Sequence, residues 1–296
     1  MPDMATPPTN HEPPAPVERA AKPRARLSLL SAVGVAWTIC FVAVLVLPLA
    51  GLYCRAPLRL LKSAECCFLV RQALTLSLTT SLITTLLTFV IGTPVAYTLA
   101  RVPFRGRRLL EALVELPLTM PPVVAGVALL LMFGRRGLIG GPLGLEITFT
   151  QVAVVMAQFM VASPYYIKTA VGAFGMVPES LMRASKTLGA GPFRTFRCVV
   201  LPLCRRGLLA GLAMTWARAI GEFGATVMFA GNVPGSTQTM PLAILTTMNH
   251  SLDAGIALAV VMLTACLIVF FVARRLLQPT VGPLMQRGPG PTGGPA

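Results

Sequence analysis

Arg218 and Glu222 have the residue types and spacing that most directly suggest chemistry, because they lie four apart inside an apolar run. An ionisable group in such a run costs about 2.5 kcal/mol or more unless it is paired or faces water. A four-residue spacing puts both on one helical face, where an ion pair can form, although Arg before Glu is the less favourable order for the helix dipole. A structural pair locking this helix to a neighbour and a pair at the mouth or gate of a pathway both meet that cost. Gly221 and Gly224 flank Glu222 and permit close helix approach or a hinge. Arg218 is not read as an anion ligand, since Glu222 would neutralise it.

Two further segments carry candidate chemistry. Met120, Pro121 and Pro122 interrupt an apolar stretch, and prolines there break helical hydrogen bonding. Broken helices often line cavities in membrane proteins, so this is a second candidate for a gate, with a packing kink equally compatible. The run NVPGSTQTMP is a polar turn in which Asn232, Ser236, Thr237, Gln238 and Thr239 offer hydroxyls and amides. These could bind an oxyanion at an external mouth or merely cap a re-entrant loop.

Other chemistries are not supported. No Ser/His/Asp, HExxH or paired-carboxylate constellation is present. His11 and His250 are too far apart for a metal site and are read as solvent-facing loop residues. Seven cysteines form no CxxC pair, and several sit in or beside apolar runs, where cysteine acts as a small hydrophobe. No GxxxxGK[ST] phosphate loop occurs, so any ATP and Mg²⁺ would be bound by another subunit and this chain binds no cofactor of its own.

The elements that must position these residues are apolar. The 296 residues are 55% hydrophobic and 12% charged, with a mean hydropathy of +0.74, which excludes an ordinary soluble domain. Six apolar stretches, about 30–53, 69–100, 113–133, 150–172, 207–230 and 252–273, each suffice to cross a hydrocarbon core of about 30 Å. The fourth is the weakest, because Gln151, Gln158 and Pro164 interrupt it. The reading is an all-α integral membrane protein with a transmembrane domain over 27–278. A Pro-rich tail (1–26) and a Gly/Pro-rich tail (279–296) are read as disordered. A cleaved signal peptide competes for the leader, but no clear small-x-small site follows it.

The net charge is +15, from 25 Lys and Arg against 10 Asp and Glu. In so apolar a chain, basic loops at an anionic leaflet explain this better than nucleic acid does. The bases group in the leader, around 101–108, from 168 to 206 and after 273, which places both termini in the cytoplasm. Arg55, Arg59, Lys62, Arg71, Arg135 and Arg136 are left outside.

Between the fourth and fifth stretches lies VPESLMRASKTLGAGPFRTFRCVVLP, residues 177–202. Pro178 and Glu179 suit a helix start, Leu181, Ala184 and Leu188 recur at helical spacing, and Gly189 can end the helix in a left-handed conformation. A helix, a glycine turn and a second helix would make an apolar knob with basic flanks, able to dock in a partner's groove or to lie at the membrane interface.

This segment resembles the coupling loop of ABC importer permeases, in which EAA, three residues and Gly are followed by a closing Leu-Pro. Ala184, Gly189, Leu201 and Pro202 match, whereas Arg183 replaces the family glutamate and Ser185 the second alanine. Glu179, one turn earlier, is a possible substitute for that charge. The stretches LPLTMPPVVAGVALLLMFGRRGLIG and ARAIGEFGATVMFAGNVPGSTQTMPLAI resemble the molybdate permease group and, less closely, the sulfate permeases. The likeness runs from about residue 69 to 275. It implies the type I importer fold, with two copies lining one pathway in a bacterial-type inner membrane. It also implies two ATPase subunits docked on the coupling loop, and an extracytoplasmic binding protein that delivers molybdate or tungstate. A sulfate or thiosulfate permease is the nearest alternative. An autonomous secondary transporter or channel is another, and would need a coupling-ion site of its own.

Overall fold

The computed structural model describes residues 29–57, 59 and 64–277. The two tails and His11 lie outside the described residues. The chain divides into two units, Met1–Gly51 and Leu52–Ala296. Helix α1 (Leu29–Cys54) supplies the described part of the first, apolar on every side as a lipid-embedded helix must be.

The second unit is built on α2 (Ala64–Arg101), α5 (Gln151–Gly175) and α8 (Leu201–Ile220). Between α2 and α5 come α3 (Arg107–Thr119) and α4 (Pro122–Phe133). Three short pieces precede α8: α6 (Glu179–Thr187), α7 (Pro192–Thr195) and a π-type turn (Phe196–Val200). Beyond α8 lie α9 (Gly224–Phe229), α10 (Met240–His250) and α11 (Leu252–Leu277). No strand occurs among the described residues.

Four helical spans are long and apolar enough to cross a membrane by composition: Ser31–Cys54, Cys67–Arg101, Pro192–Ile220 and Leu252–Val272. The pair α3 and α4, bent by 113°, is long and apolar enough only when its two helices are taken together. The sixth expected crossing, α5, falls short on composition although its 25 residues would extend about 37 Å. The reason is burial. Thirteen of its residues are buried, including Gln158 and Ser163, so protein rather than lipid satisfies its polar groups.

Pairings across the helices fix the direction of each crossing. Gln158 Nε2 donates to Thr80 Oγ1 at 3.2 Å, Thr84 Oγ1 donates to Gln158 Oε1 at 3.0 Å, and Thr93 and Tyr166 share a hydroxyl bond of 2.7 Å. At the helix ends, Arg101 donates to the carbonyls of Phe174 and Val177. Thus 80 lies beside 158, 93 beside 166 and 101 beside 174, so α2 and α5 run parallel. The segment between them must therefore return across the membrane. It does so despite its bend, for Lys168 Nζ meets Glu115 Oε2 at 3.2 Å while Leu129 shares a core cluster with Ala153, Val154 and Ala157. Helix α8 is antiparallel to α5, with Cys204 Sγ against Ala173 O at 3.3 Å and Gly211 against Thr169.

Two expectations are corrected. The fifth stretch is not one helix over 207–230: it begins at Pro192 and breaks after Ile220, where Gly221, Glu222 and Phe223 leave the helix. His250 is an exposed residue at the end of α10, a helix not anticipated from the polar turn before it.

Candidate functional site

The break at 221–223 places Glu222 between two helix ends. Arg218 stands in the last turn of α8, where the exposed carbonyls favour a cation, and Glu222 precedes α9, whose free N–H groups favour an anion. Glu222 Oε1 accepts from Ala225 N–H at 2.8 Å, and Oε2 lies 2.6 Å from Arg218 Nη1. That second contact is one of charge rather than an aligned hydrogen bond. The pair forms at the expected spacing, but because the helix ends between its members, each charge sits at its favourable dipole end. The Glu222 side chain is 1% exposed and that of Arg218 26%, so the carboxylate is sealed while the guanidinium reaches an open surface.

The second broken segment meets the first. Met120 and Pro121 are extended, with ψ of 141° and 133°, and Pro122 starts α4 at the position where its missing N–H costs nothing. A Cβ placed on Gly224 would lie 3.1 Å from Pro122 Cβ and 3.1 Å from Val123 N, and one on Gly126 would lie 2.7 Å from Ala225 O. Only glycines allow α4 and α9 to approach this closely. Met120, Pro121, Pro122, Gly221, Glu222 and Gly224 therefore form one region in which two interrupted helices touch.

The segment 177–202 folds as its sequence suggests, with differences in detail. Gly189 adopts φ +78°, its N–H bonds Lys186 O at 2.9 Å, and Ala190 N–H bonds Ser185 O at 3.0 Å. This paired closure ends α6 and requires the left-handed glycine. Ser185 is buried and its hydroxyl meets Thr195 Oγ1 at 3.0 Å, so the residue replacing alanine ties α6 to α7. Leu181, Ala184, Leu188 and Phe193 point outward, with Leu188 87% and Phe193 74% exposed. Glu179 lies 3.6 Å from Arg183, and both side chains are exposed, so the two charges face outward together. The segment's closing Leu-Pro ends no helix. Leu201 N–H bonds Phe196 O, five residues back, and this widened turn accommodates Pro202 inside a helix that continues to Ile220.

The polar turn is largely spent on its own structure. Thr237, Gln238 and Thr239 are buried, and Thr237 Oγ1 accepts from Val233 N–H at 3.0 Å. Asn232 Nδ2 donates to Thr246 Oγ1 at 2.8 Å, and Ser236 Oγ reaches Phe149 O at 3.4 Å. Met240 N–H donates to Ser77 Oγ at 2.7 Å, fastening the turn to the first half of α2. Two contributors escaped the sequence reading. Gln158 was visible only as an interruption of an apolar run, and Arg101 only as one base among several in a loop. Among the described residues, no cluster of His, Cys, Asp and Glu could hold a metal.

Comparison with known proteins agrees with this architecture. Residues 89–282 match the family model described as binding-protein-dependent transport system inner membrane component. The chain is 42% identical over 209 residues to the molybdenum transport system permease protein ModB of Mycobacterium tuberculosis, covering 69% of this chain and 79% of that one. It is 38% identical over 193 residues to a probable transport system permease protein, NifC, of Clostridium pasteurianum, covering 63% and 67%. The ModB protein of Escherichia coli K12 is 38% identical over 179 residues, covering 59% and 78%. In fold, the chain resembles a bacterial ABC transporter that imports alginate, with TM-score 0.65 and 14% identity over 86% of this chain and 96% of that one. It also resembles an inward-facing MetNI methionine ABC transporter, with TM-score 0.58 and 20% identity over 73% and 97%.

Proposed function

The chain belongs to the family of binding-protein-dependent transport system inner membrane components, and we propose that it is the permease subunit of an ATP-driven importer of molybdate, with tungstate as a second substrate. The observation that carries this is the 42% identity to a molybdenum transport permease over 209 residues, a stretch long enough to include the broken-helix region and the coupling segment. The chain moves its substrate and makes or breaks no bond in it. ATP and Mg²⁺ belong to a separate ATPase, two copies of which dock on the exposed Leu181, Ala184, Leu188 and Phe193. Two permease chains form the pathway, an extracytoplasmic binding protein supplies the anion, and both termini are cytoplasmic.

The mechanism follows from continuity of the backbone. Residues 192–220 form one helical rod, about 43 Å long, with a single widened turn. One end carries the exposed Phe193, and the other ends at Arg218 beside Glu222. When the ATPase pair closes, displacement of α6 and α7 is delivered along this rod to the Glu222 junction. There α8 pulls against α9, which is wedged on α4 through Gly224 and Gly126. The two interrupted helices form the gate, and its opening gives alternating access.

The test is reconstitution of the permease with its ATPase in lipid vesicles. Molybdate-loaded binding protein added on the external side should raise ATP hydrolysis several-fold. ATP hydrolysis unaffected by the loaded binding protein, in an assembled complex, would refute the proposal.

A further inference from the structure

A cleft of about 460 Å³ opens along the first half of α2, and nothing in the mechanism above uses it. Its polar lining comes from Arg71, Gln72, Thr75, Thr79 and Gln151, with the backbone of Gly235 closing one side. Arg71, Thr75 and Thr79 repeat every four residues and form a stripe along α2. Both side-chain ends of Gln72 stand 3.7 Å from where a Cβ on Gly235 would lie, so the turn after α9 forms a wall of the cleft.

The chemistry of the lining is one-sided. Among the described residues, no carboxylate lines the cleft. The ion pairs among the described residues engage Arg107, Arg135, Lys168, Arg183 and Arg218, and Arg71 is in none of them. Thr79 donates its hydroxyl to Thr75 O at 2.8 Å and offers only lone pairs, whereas the hydroxyl of Thr75 and the amides of Gln72 and Gln151 have no partner among the described residues. Arg71 also lies inside the apolar span Cys67–Arg101, one turn from its start, where an uncompensated guanidinium is costly. A cation with up to five donors, two amides and a hydroxyl thus line one open cleft together with Phe68 and Leu76, with Arg71, Thr75 and Gln151 exposed to it and Gln72 half-buried.

We infer that this cleft is a receiving site for a tetrahedral oxyanion, held by the Arg71 guanidinium and by the amides of Gln72 and Gln151. Its place in transport rests on the proposed orientation, which puts the start of α2 on the external side. There it takes the anion as the binding protein releases it, before the gate at Glu222 opens. The phosphate of a lipid headgroup offers the same chemistry, and the experiment separates the two.

The purified permease–ATPase complex, without binding protein, is equilibrated with labelled molybdate in maltoside micelles and in phosphatidylcholine nanodiscs. The inference expects saturable binding in both, displaced by tungstate. Arg71→Gln should weaken it about ten-fold or more, as loss of a charge-assisted bond does, and Arg71→Lys should weaken it less. Gln151→Leu, which removes no charge, should weaken it several-fold. Co-purification of the ATPase reports that each variant has folded. Equal affinity in the unaltered and Arg71→Gln complexes, or no saturable binding in micelles, overturns the inference. Binding in micelles that vanishes in nanodiscs, with less phospholipid retained by Arg71→Gln, assigns the cleft to headgroup phosphate and also overturns it. Weaker association with the binding protein at unchanged molybdate affinity assigns Arg71 to a protein contact, with the same consequence. In cells, Arg71→Gln should raise the KM for uptake about ten-fold at nearly unchanged maximal rate. An unchanged KM counts against the cleft alone, whereas no uptake by the unaltered complex counts against the permease function.

Discussion

Glu222 holds two helix ends with one carboxylate, which makes its neutral isostere informative. In Glu222→Gln the amide oxygen can still accept from Ala225 N–H, but Arg218 loses its counter-charge. Leaving one member of a sealed ion pair alone costs about 3–5 kcal/mol, less here because Arg218 is partly open. Transport should fall at least ten-fold while the amount of protein in the membrane changes little, measured by uptake and by quantitative immunoblot of the same cells. Equal loss of both would make the pair a purely structural lock. Gln158 behaves differently. Its amide bridges Thr80 and Thr84, so Gln158→Leu removes both interhelical bonds while the hydroxyls keep Leu76 O and Val155 O as acceptors, and it should lower the unfolding free energy by roughly 1 kcal/mol, the usual scale of an interhelical hydrogen bond in a membrane. Thermal unfolding in detergent measures this.

The elements divide into those whose sequence announces them and those set by a neighbour. Pro121 and Pro122 announce the α3–α4 break, because no helix hydrogen bond can run through them. The break at 221–223 carries one glycine, a glutamate and a phenylalanine, with no proline to announce it, and it exists because α9 must turn onto α4. What betrays it is geometric: Gly126 and Gly224 have no room for a Cβ. Gly126→Ala should therefore destabilise the protein by roughly 1–3 kcal/mol through overpacking, whereas Gly172→Ala, which meets nothing within 4 Å, should be neutral or better. Gly189 is the opposite case. Its Cβ would enter open space, and its positive φ makes a side chain cost only about 1 kcal/mol. Gly189→Leu should leave the permease folded but abolish most ATPase association, because the new side chain projects beside the exposed Leu188. Retained association, measured by co-purification, would count against the docking role.

At the scale of the whole molecule, charge asymmetry and the parallel α2–α5 register are independent constraints that agree. The first uses only where Lys and Arg fall. The second requires an odd number of crossings between the ends of α2 and the start of α5 if both run the same way. Composition marks α5 as the weakest of the six stretches, because its polar residues face protein, and it misplaces Arg71, which looks like a loop charge yet lies within a helix. Single-cysteine variants check the orientation. Cys67 and Cys198 are both exposed, and an impermeant maleimide should label Cys67 from outside intact cells and Cys198 only after the membrane is opened. The opposite pattern would invert the molecule.

The central claim is tested most directly by labelled molybdate uptake in cells expressing the permease with its ATPase and binding protein, with and without excess sulfate. The account predicts uptake that stops when the ATPase is inactivated and persists in the presence of sulfate. No uptake despite an assembled complex in the membrane, or uptake that continues without ATP hydrolysis, would contradict it.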